Sequence, residues 1–312
     1  MVLNFFWVNA MIYCYPKLPR YGLGNKLFEW ARCRIFSHIH QIPMLAPIWA
    51  QVPAGLFIPE FRKQFYIRTF YLNLFHPKEN DIQGLDWARL QYFSHKIAEP
   101  SNISHLPIID KNRDNLIVFK RWEPNPFPQR RFSPLFGWSK FLNTELRQII
   151  KPKILDNVPE VPSRSLGVHV RLELHQFGEI KTRDYLDWFI QSIRSLRELT
   201  GENLKVYVSS DSSRHKLASL LEESNTEFLG GNAISDLLTL SKTSLLLVTD
   251  FSSFGAWASY LGQMPTLCHP SAKYRDLYFH EDFELKNEYG RYIGPFDPKK
   301  PKELLLDLSH VG

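Results

Sequence analysis

The sequence predicts an α/β protein whose C-terminal half is a doubly wound parallel sheet. Between residues 165 and 269, short apolar runs alternate with stretches of helical periodicity, the pattern of parallel strands joined by helical crossovers. The apolar runs also end on polar residues: His169-Val170-Arg171, Ser209-Ser210-Asp211, and Asp250 followed by Ser252-Ser253. In open α/β sheets, ligands bind outside the carboxyl ends of the strands.

From the N-terminus, Met11 to Tyr15 reads as a first buried strand. The apolar residues before it are an extension or a misplaced start. They lack a basic leader and a small-residue cleavage site, so no signal peptide is expected. Pro16, Lys17 and Arg20 end the run short of the ~20 residues a spanning helix needs. Gly22 and Gly24 follow, then a helix from about Asn25 to Ile39. Leu27, Phe28, Ala31, Ile35 and Phe36 hold its helical spacing, with Asn25 as N-cap. Residues 43–140 are rich in aromatics and prolines without clean periods, so short helices and long loops are expected there. The Pro-rich stretch 151–165 reads as an interdomain linker or an ordered loop.

Beyond it, the expected strands are Ser165–Arg171, Leu204–Asp211, Leu245–Asp250 and Pro265–His269. Between them lie expected helices Arg183–Leu199, His215–Glu223, Ser235–Ser241 and Ser253–Leu261.

Composition narrows the function classes. With 44% hydrophobic and 22% charged residues in 312, the chain is globular rather than disordered, long enough for one large domain or two ordinary ones. A net charge of +6 favours anionic partners or serves solubility. The basic residues are dispersed and no recognition motif appears, which argues against a nucleic-acid-binding module. Cys14, Cys33 and Cys268 are far apart, so neither a zinc site nor a disulfide framework is suggested, and a reducing compartment fits.

The strand-end residues suit a nucleoside diphosphate. Arg171 can donate two parallel charge-assisted hydrogen bonds to a phosphate. Ser252 and Ser253 open a helix whose terminal amides and dipole favour one. Asp211 and Asp250 can accept from guanine or ribose; the competing reading makes such Asp and Ser residues helix caps. In the other half, the Gly22-Leu23-Gly24-Asn25 turn allows close backbone approach to a ligand, though it lacks the third glycine of a dinucleotide fingerprint. No strand ends in an Asp-x-Asp pair, so metal dependence is not suggested.

These segments resemble known motifs. Gly22 to Phe28 (GLGNKLF) is similar to the GLGNQ-F motif of bacterial α-1,2-fucosyltransferases. Gly167 to Arg171 (GVHVR) resembles their HxRRxD motif, shared with core α-1,6- and protein O-fucosyltransferases. Ile234 to Ser241, followed by Asp250 to Trp257, resembles the last motif, in which D-x-x-x-L-S leads to F-S-S/W. The motifs occur in the family's order and bracket residues 12 to 270.

The resemblance implies a GT-B-like α/β fold of two Rossmann-type domains facing a cleft. Residues 1–155 would form the acceptor-side domain and 156–312 the GDP-sugar-binding domain. It implies inverting transfer of L-fucose from GDP-β-L-fucose to a glycan or lipid-linked oligosaccharide hydroxyl, with the donor as substrate and no cofactor or metal. Arg171 would bind the β-phosphate and stabilise departing GDP, Asp236 would read guanine, and Ser252 and Ser253 would meet phosphate or ribose. His169 would lie near the nucleotide, and Asn25, with Gly22 and Gly24, near sugar and phosphates. The catalytic set is thus Arg171, Glu179 and Asn25, with Asp211 added to the donor-binding residues. Glu179 is taken as base from its offset after Arg171; Glu173 and His175 compete.

The chain departs from the family pattern where Leu172 and Leu174 replace the second arginine and the aspartate. Lys181 or Arg183 supplies the lost cation, or activity or donor choice differs. The rivals are therefore a GDP-mannose or other nucleotide-sugar transferase, and a non-catalytic glycan- or nucleotide-binding relative. The basic surface is expected to hold the enzyme at the cytoplasmic face of a membrane.

Overall fold

The computed structural model describes residues 10–19, 22–49, 71–120, 132–172, 182–249, 252–270, 287–289 and 291–301. The described residues fall into two compact units. One lies within Met1–Phe127 and Phe141–Lys151, the other within Pro128–Lys140 and Pro152–Gly312.

In the first unit, β1 (Ile12–Lys17) buries four consecutive residues, as a strand covered on both faces must. Helix α1 (Leu23–His40) follows and packs on it, burying Leu27, Trp30, Ala31, Ile35 and Phe36 completely. The helix starts two residues before the expected position. Gly22 is its N-cap and Asn25 lies inside the first turn, because Gly22 O already accepts from the Asn25 and Lys26 amides. Gln41 ends it in the left-handed region, at φ 54°.

The described stretches within 43–140 hold more order than their composition suggests. Helix α2 (Gly84–Phe93) leads into β2 (His95–Ala98), and β3 (Asn115–Lys120) inserts between β2 and β1, parallel to both. β3 is nearly continuously buried, so it carries no alternation to betray it in sequence. Helix α3 (Ser139–Ile149) follows, and belongs to this unit from Phe141 onward.

The Pro-rich stretch is ordered along its length. Pro152–Leu155 form one helical turn, α4. Beyond it, Pro159 O faces Lys242 Nζ, Glu160 O accepts from Tyr207 Oη, and Pro162 O accepts from Ser165 Oγ. The ordered-loop alternative therefore describes 151–165 better than a free linker.

The second unit is built on β4 (Ser165–Val170), α5 (Thr182–Thr200) and β5 (Lys205–Ser210). A 3-10 turn (Arg214–Leu217) and short α6 (Ala218–Leu221) stand where one helix was expected. Then come β6 (Thr226–Phe228), α7 (Ala233–Leu240), β7 (Leu245–Val248), α8 (Ser253–Gly262), β8 (Thr266–Cys268) and β9 (Ile293–Pro295). β6 and β9 are three-residue strands, too short to show a period, and escape the sequence reading.

All six strands are parallel, in the order β6-β5-β4-β7-β8-β9. This is the 3-2-1-4-5-6 order of doubly wound folds, in which the chain reverses direction between the first and fourth strands. Here that switch lies between β4 and β7. Val168, Val206, Val208, Leu247 and Leu267 fill the sheet's core with Phe189 and Ile193 of α5.

Two glycines set the packing. A Cβ on Gly167, within β4, would stand 2.7 Å from Thr243 Oγ1 and 2.8 Å from Leu246 Cδ1. One on Gly262 would stand 2.3 Å from Ser241 O, so α8 can close on the end of α7 only without a side chain there. Residues 132–140 also belong to this unit. Phe132 packs against Trp257 and Tyr260 at ring separations of 5.2 and 4.9 Å, and Tyr260 Oη donates to Leu135 O.

Candidate functional site

At the switch point, adjacent strands part and leave backbone groups beyond their last ladder bonds. The structure fills this gap with side chains. Thr249, just past β7, donates from Oγ1 to His169 O (3.1 Å) and accepts from the Arg171 amide (2.7 Å). Its own amide donates to His169 O at 3.2 Å. Thr249 thus fixes the backbone on both sides of Val170 and, with it, the root of the Arg171 side chain.

Arg171 leaves the core on this rim. Asp211, past β5, accepts from the Leu172 amide at 3.1 Å, and its other oxygen lies 3.7 Å from Arg171 Nε. Both side chains are partly exposed, at 27% and 34%. The carboxylate restrains the guanidinium from one side.

His169 is the buried member. Its Nε2 lies 2.8 Å from Ser252 Oγ, and its ring sits 4.8 Å from that of Phe254. Burial, and secondarily the Arg171 charge, push its pKa down to about 3, against a smaller upward pull from the Ser209 backbone. At neutral pH it is an uncharged imidazole. Its two nitrogens then offer one donor and one acceptor, and Ser252 Oγ can serve either.

Ser252 also caps α8, its Oγ accepting from the Gly255 amide at 3.3 Å. Gly255 is needed for this approach: a Cβ would stand 3.0 Å from Val248 Cγ1 and 3.2 Å from His169 Cδ2. Ser253 is the first residue of α8 and is buried. The helix terminus therefore opens beside Arg171's strand, where an anion would meet both positive dipole and guanidinium.

Asp236 lies in the first turn of α7, which Asn232 caps through its side chain. Asp236 Oδ2 accepts from Ser209 Oγ at 2.9 Å, tying α7 to the end of β5. Gly231 stands in front of the other oxygen, where a Cβ would come within 3.1 Å.

The structure thus gathers His169, Arg171, Asp211, Asp236, Ser252 and Ser253 around the carboxyl ends of β4, β5 and β7. Gly22, Gly24 and Asn25 form a separate feature at the start of α1 in the first unit. There Tyr71 Oη accepts from the Leu23 amide at 3.0 Å, and buried Lys26 donates from Nζ to Pro19 O at 2.6 Å. Open space surrounds the position a Gly22 side chain would take. Burial lowers the Lys26 ammonium to about 8, partly opposed by Glu29. Glu173, Leu174, His175, Glu179, Lys181 and Asp250 lie outside the described residues, and so does the Arg183 side chain.

Leu172, at the position of the resembled motif's second arginine, is 5% exposed and joins the core of β4 and α5. Sequence reasoning missed Thr249 and Phe254. Thr249 could have been found as the only hydroxyl at the end of LLLVTD; Phe254 lies inside the motif stretch Asp250 to Trp257, which assigned it no role. Among the described residues, no three His, Cys, Asp or Glu side chains cluster as a metal site. No helix among them is long and apolar enough to cross a membrane.

No protein-family model and no curated protein matches the chain. Solved structures do. NodZ, an α-1,6-fucosyltransferase from Bradyrhizobium co-crystallised with GDP, aligns at a TM-score of 0.51 and 14% identity, covering 85% of this chain and 97% of NodZ. Arabidopsis thaliana FUT1 in complex with GDP gives 0.49 and 13%, over 85% and 71% of the two chains. POFUT1 in complex with GDP gives 0.47 and 12%, over 83% and 98%. The chain shares the fold of NodZ across nearly the whole of that enzyme.

Proposed function

We propose that this protein is a fucosyltransferase that takes L-fucose from GDP-fucose and delivers it, with inversion, to a glycan hydroxyl. The observation that carries the reading is the cluster at the β4/β7 switch point: a restrained Arg171 beside the capped N-terminus of α8. The fold shared with NodZ, itself crystallised with GDP, supports the same nucleotide.

In this mechanism Arg171 and the α8 amides neutralise the charge that collects on GDP as the bond from anomeric carbon to phosphate oxygen breaks. Neutral His169 adds no charge; it holds Ser252, and Ser252 holds the helix terminus. Asp211 keeps the guanidinium in place and is not itself a phosphate ligand, since two anions would repel. Asp236 accepts from guanine. The acceptor oxygen bonds to the anomeric carbon from the opposite face and gives its proton to Glu179. On the motif resemblance alone, Gly22, Gly24 and Asn25 are assigned to sugar and phosphates. The overall architecture is GT-B-like, and the transfer needs no metal. The linkage of closest motif resemblance is α-1,2.

Buried Leu172 favours one second reading. Without the second arginine, another GDP-sugar, GDP-mannose first, is the alternative donor.

Calorimetric titration of GDP, GDP-fucose, GDP-mannose and UDP, each with EDTA, tests both readings on wild type and Arg171→Ala. Micromolar GDP binding that ignores EDTA, rejects UDP and weakens at least about 10-fold in the variant is expected, since a lost charge-assisted pair costs about 1.5–3 kcal/mol. Absence of any GDP binding refutes the donor site. Tighter binding of GDP-mannose than of GDP-fucose transfers the proposal to the second reading.

A further inference from the structure

The first unit carries a cavity that the donor reading does not use. It opens at the C-terminal end of α1, opposite the Gly22 turn along a helix of 18 residues, and encloses about 370 Å³. That volume is at the lower end of small-molecule sites.

Its walls hold four charges that cancel. Arg34 Nη2 donates to both oxygens of Asp81, at 2.8 and 2.9 Å. Lys78 Nζ reaches both oxygens of Glu145, each at 2.7 Å. The Lys78 amide donates to Asp81 Oδ2 at 3.2 Å, and Arg34 Nε lies 3.6 Å from Glu145, so the two pairs form one network. An incoming anion would face Asp81 and Glu145; an incoming cation would face Arg34 and Lys78. Either would oppose charges that are already partnered. A neutral ligand with several hydroxyls meets neither penalty. Carboxylate oxygens have spare lone pairs for hydroxyl donors, and an ammonium has three donors for hydroxyl oxygens.

Ser37, Gln41 and Asn80 add uncharged polar groups to the lining, and Ile42, Pro43, Met44 and Phe141 an apolar stretch. The Phe141 ring lies 4.5 Å from exposed His38, tilted by 41°, and both line the cavity. A hydroxylated rim beside an apolar face is the chemistry of a sugar ring.

We infer that this cavity is a binding site for a neutral sugar ring. The inference rests on the first unit alone and stands or falls independently of the nucleotide site.

Saturation-transfer NMR on the whole protein tests it, with L-fucose, D-galactose, D-mannose, N-acetylglucosamine and, as a charged control, inorganic phosphate. At least one sugar should receive saturation from wild type. Its affinity should fall about tenfold in Phe141→Ala and severalfold in His38→Ala. GDP affinity and circular dichroism should stay unchanged. His38 is exposed, so its variant reports on the site even if Phe141→Ala misfolds. The inference is overturned if no sugar binds wild type, if phosphate binds more tightly than every sugar, or if the His38→Ala protein binds sugar as wild type does.

Discussion

Lowering the pH should destabilise the second unit through a single buried imidazole. The His169 pKa is pushed down to about 3 in the folded protein, while an unfolded histidine titrates near ~6.5. Its folded value is depressed, so the stability it carries is complete above ~6.5 and drains as pH falls toward the folded value. In that window the unfolded chain takes up a proton that the folded chain refuses. Each pH unit costs about 1.4 kcal/mol. From neutrality to pH 5 the loss is about 2 kcal/mol, approaching about 5 kcal/mol near the folded pKa. Asp81 and Glu99, raised by burial, act in the opposite sense. They are common to wild type and a His169→Gln variant, so they cancel in the comparison. Urea denaturation of both proteins at pH 7.5, 6 and 5 should show wild type losing about 2 kcal/mol more than the variant over the range. Parallel pH dependences would refute the reasoning, as would a His169 ring signal that titrates near pH 6.

Three further perturbations probe other parts of the structure. Gly262→Ala forces a Cβ against Ser241 O, and thermal denaturation should register about 1–3 kcal/mol of lost stability. Gly255→Ala presses on Val248 and His169; it should weaken GDP binding about tenfold, measured by calorimetry, while the far-ultraviolet dichroism stays that of wild type. Asp81→Ala removes the carboxylate hydrogen-bonded to buried Arg34 and leaves it only Glu145 at 3.6 Å; it should cost about 3 kcal/mol by urea denaturation, much of which the double change Arg34→Met with Asp81→Leu should restore.

The second unit was largely legible because its signals are local. LKVYVSSD and LLLVTD are apolar runs with polar ends, and the structure turns them into β5, β7 and the rim residues between. The alternation of strand and helix also forecast a parallel sheet. Its strand order was not forecast, since nothing in one strand names its neighbour. The first unit was harder. β3 looks like any apolar run, and its insertion between β1 and β2 is a long-range choice made by burial. At the site, Arg171 was visible as a charge ending a buried strand. The tie from Thr249 to His169 and Arg171 was not, because it spans about 80 residues of sequence. The core position of Leu172 follows from its burial with Val170 and Tyr185, which the motif comparison could register only as a missing arginine.

The chain visits the second unit before it settles there. Phe132 and Leu135 are buried, at 4% and 0%, in a segment that precedes residues 141–151 of the other unit. Cutting the protein at the apparent boundary near 152 would strip the Phe132 ring from Trp257 and Tyr260, and Leu135 O from the Tyr260 hydroxyl, and lay bare an aromatic face on α8. A fragment of the second unit made that way would precipitate whatever its ligand. The halves are interlaced in sequence, so ribosomal emergence of residue 152 does not complete the first and begin the second: part of the second unit's interior is synthesised first and must wait, exposed, for α8.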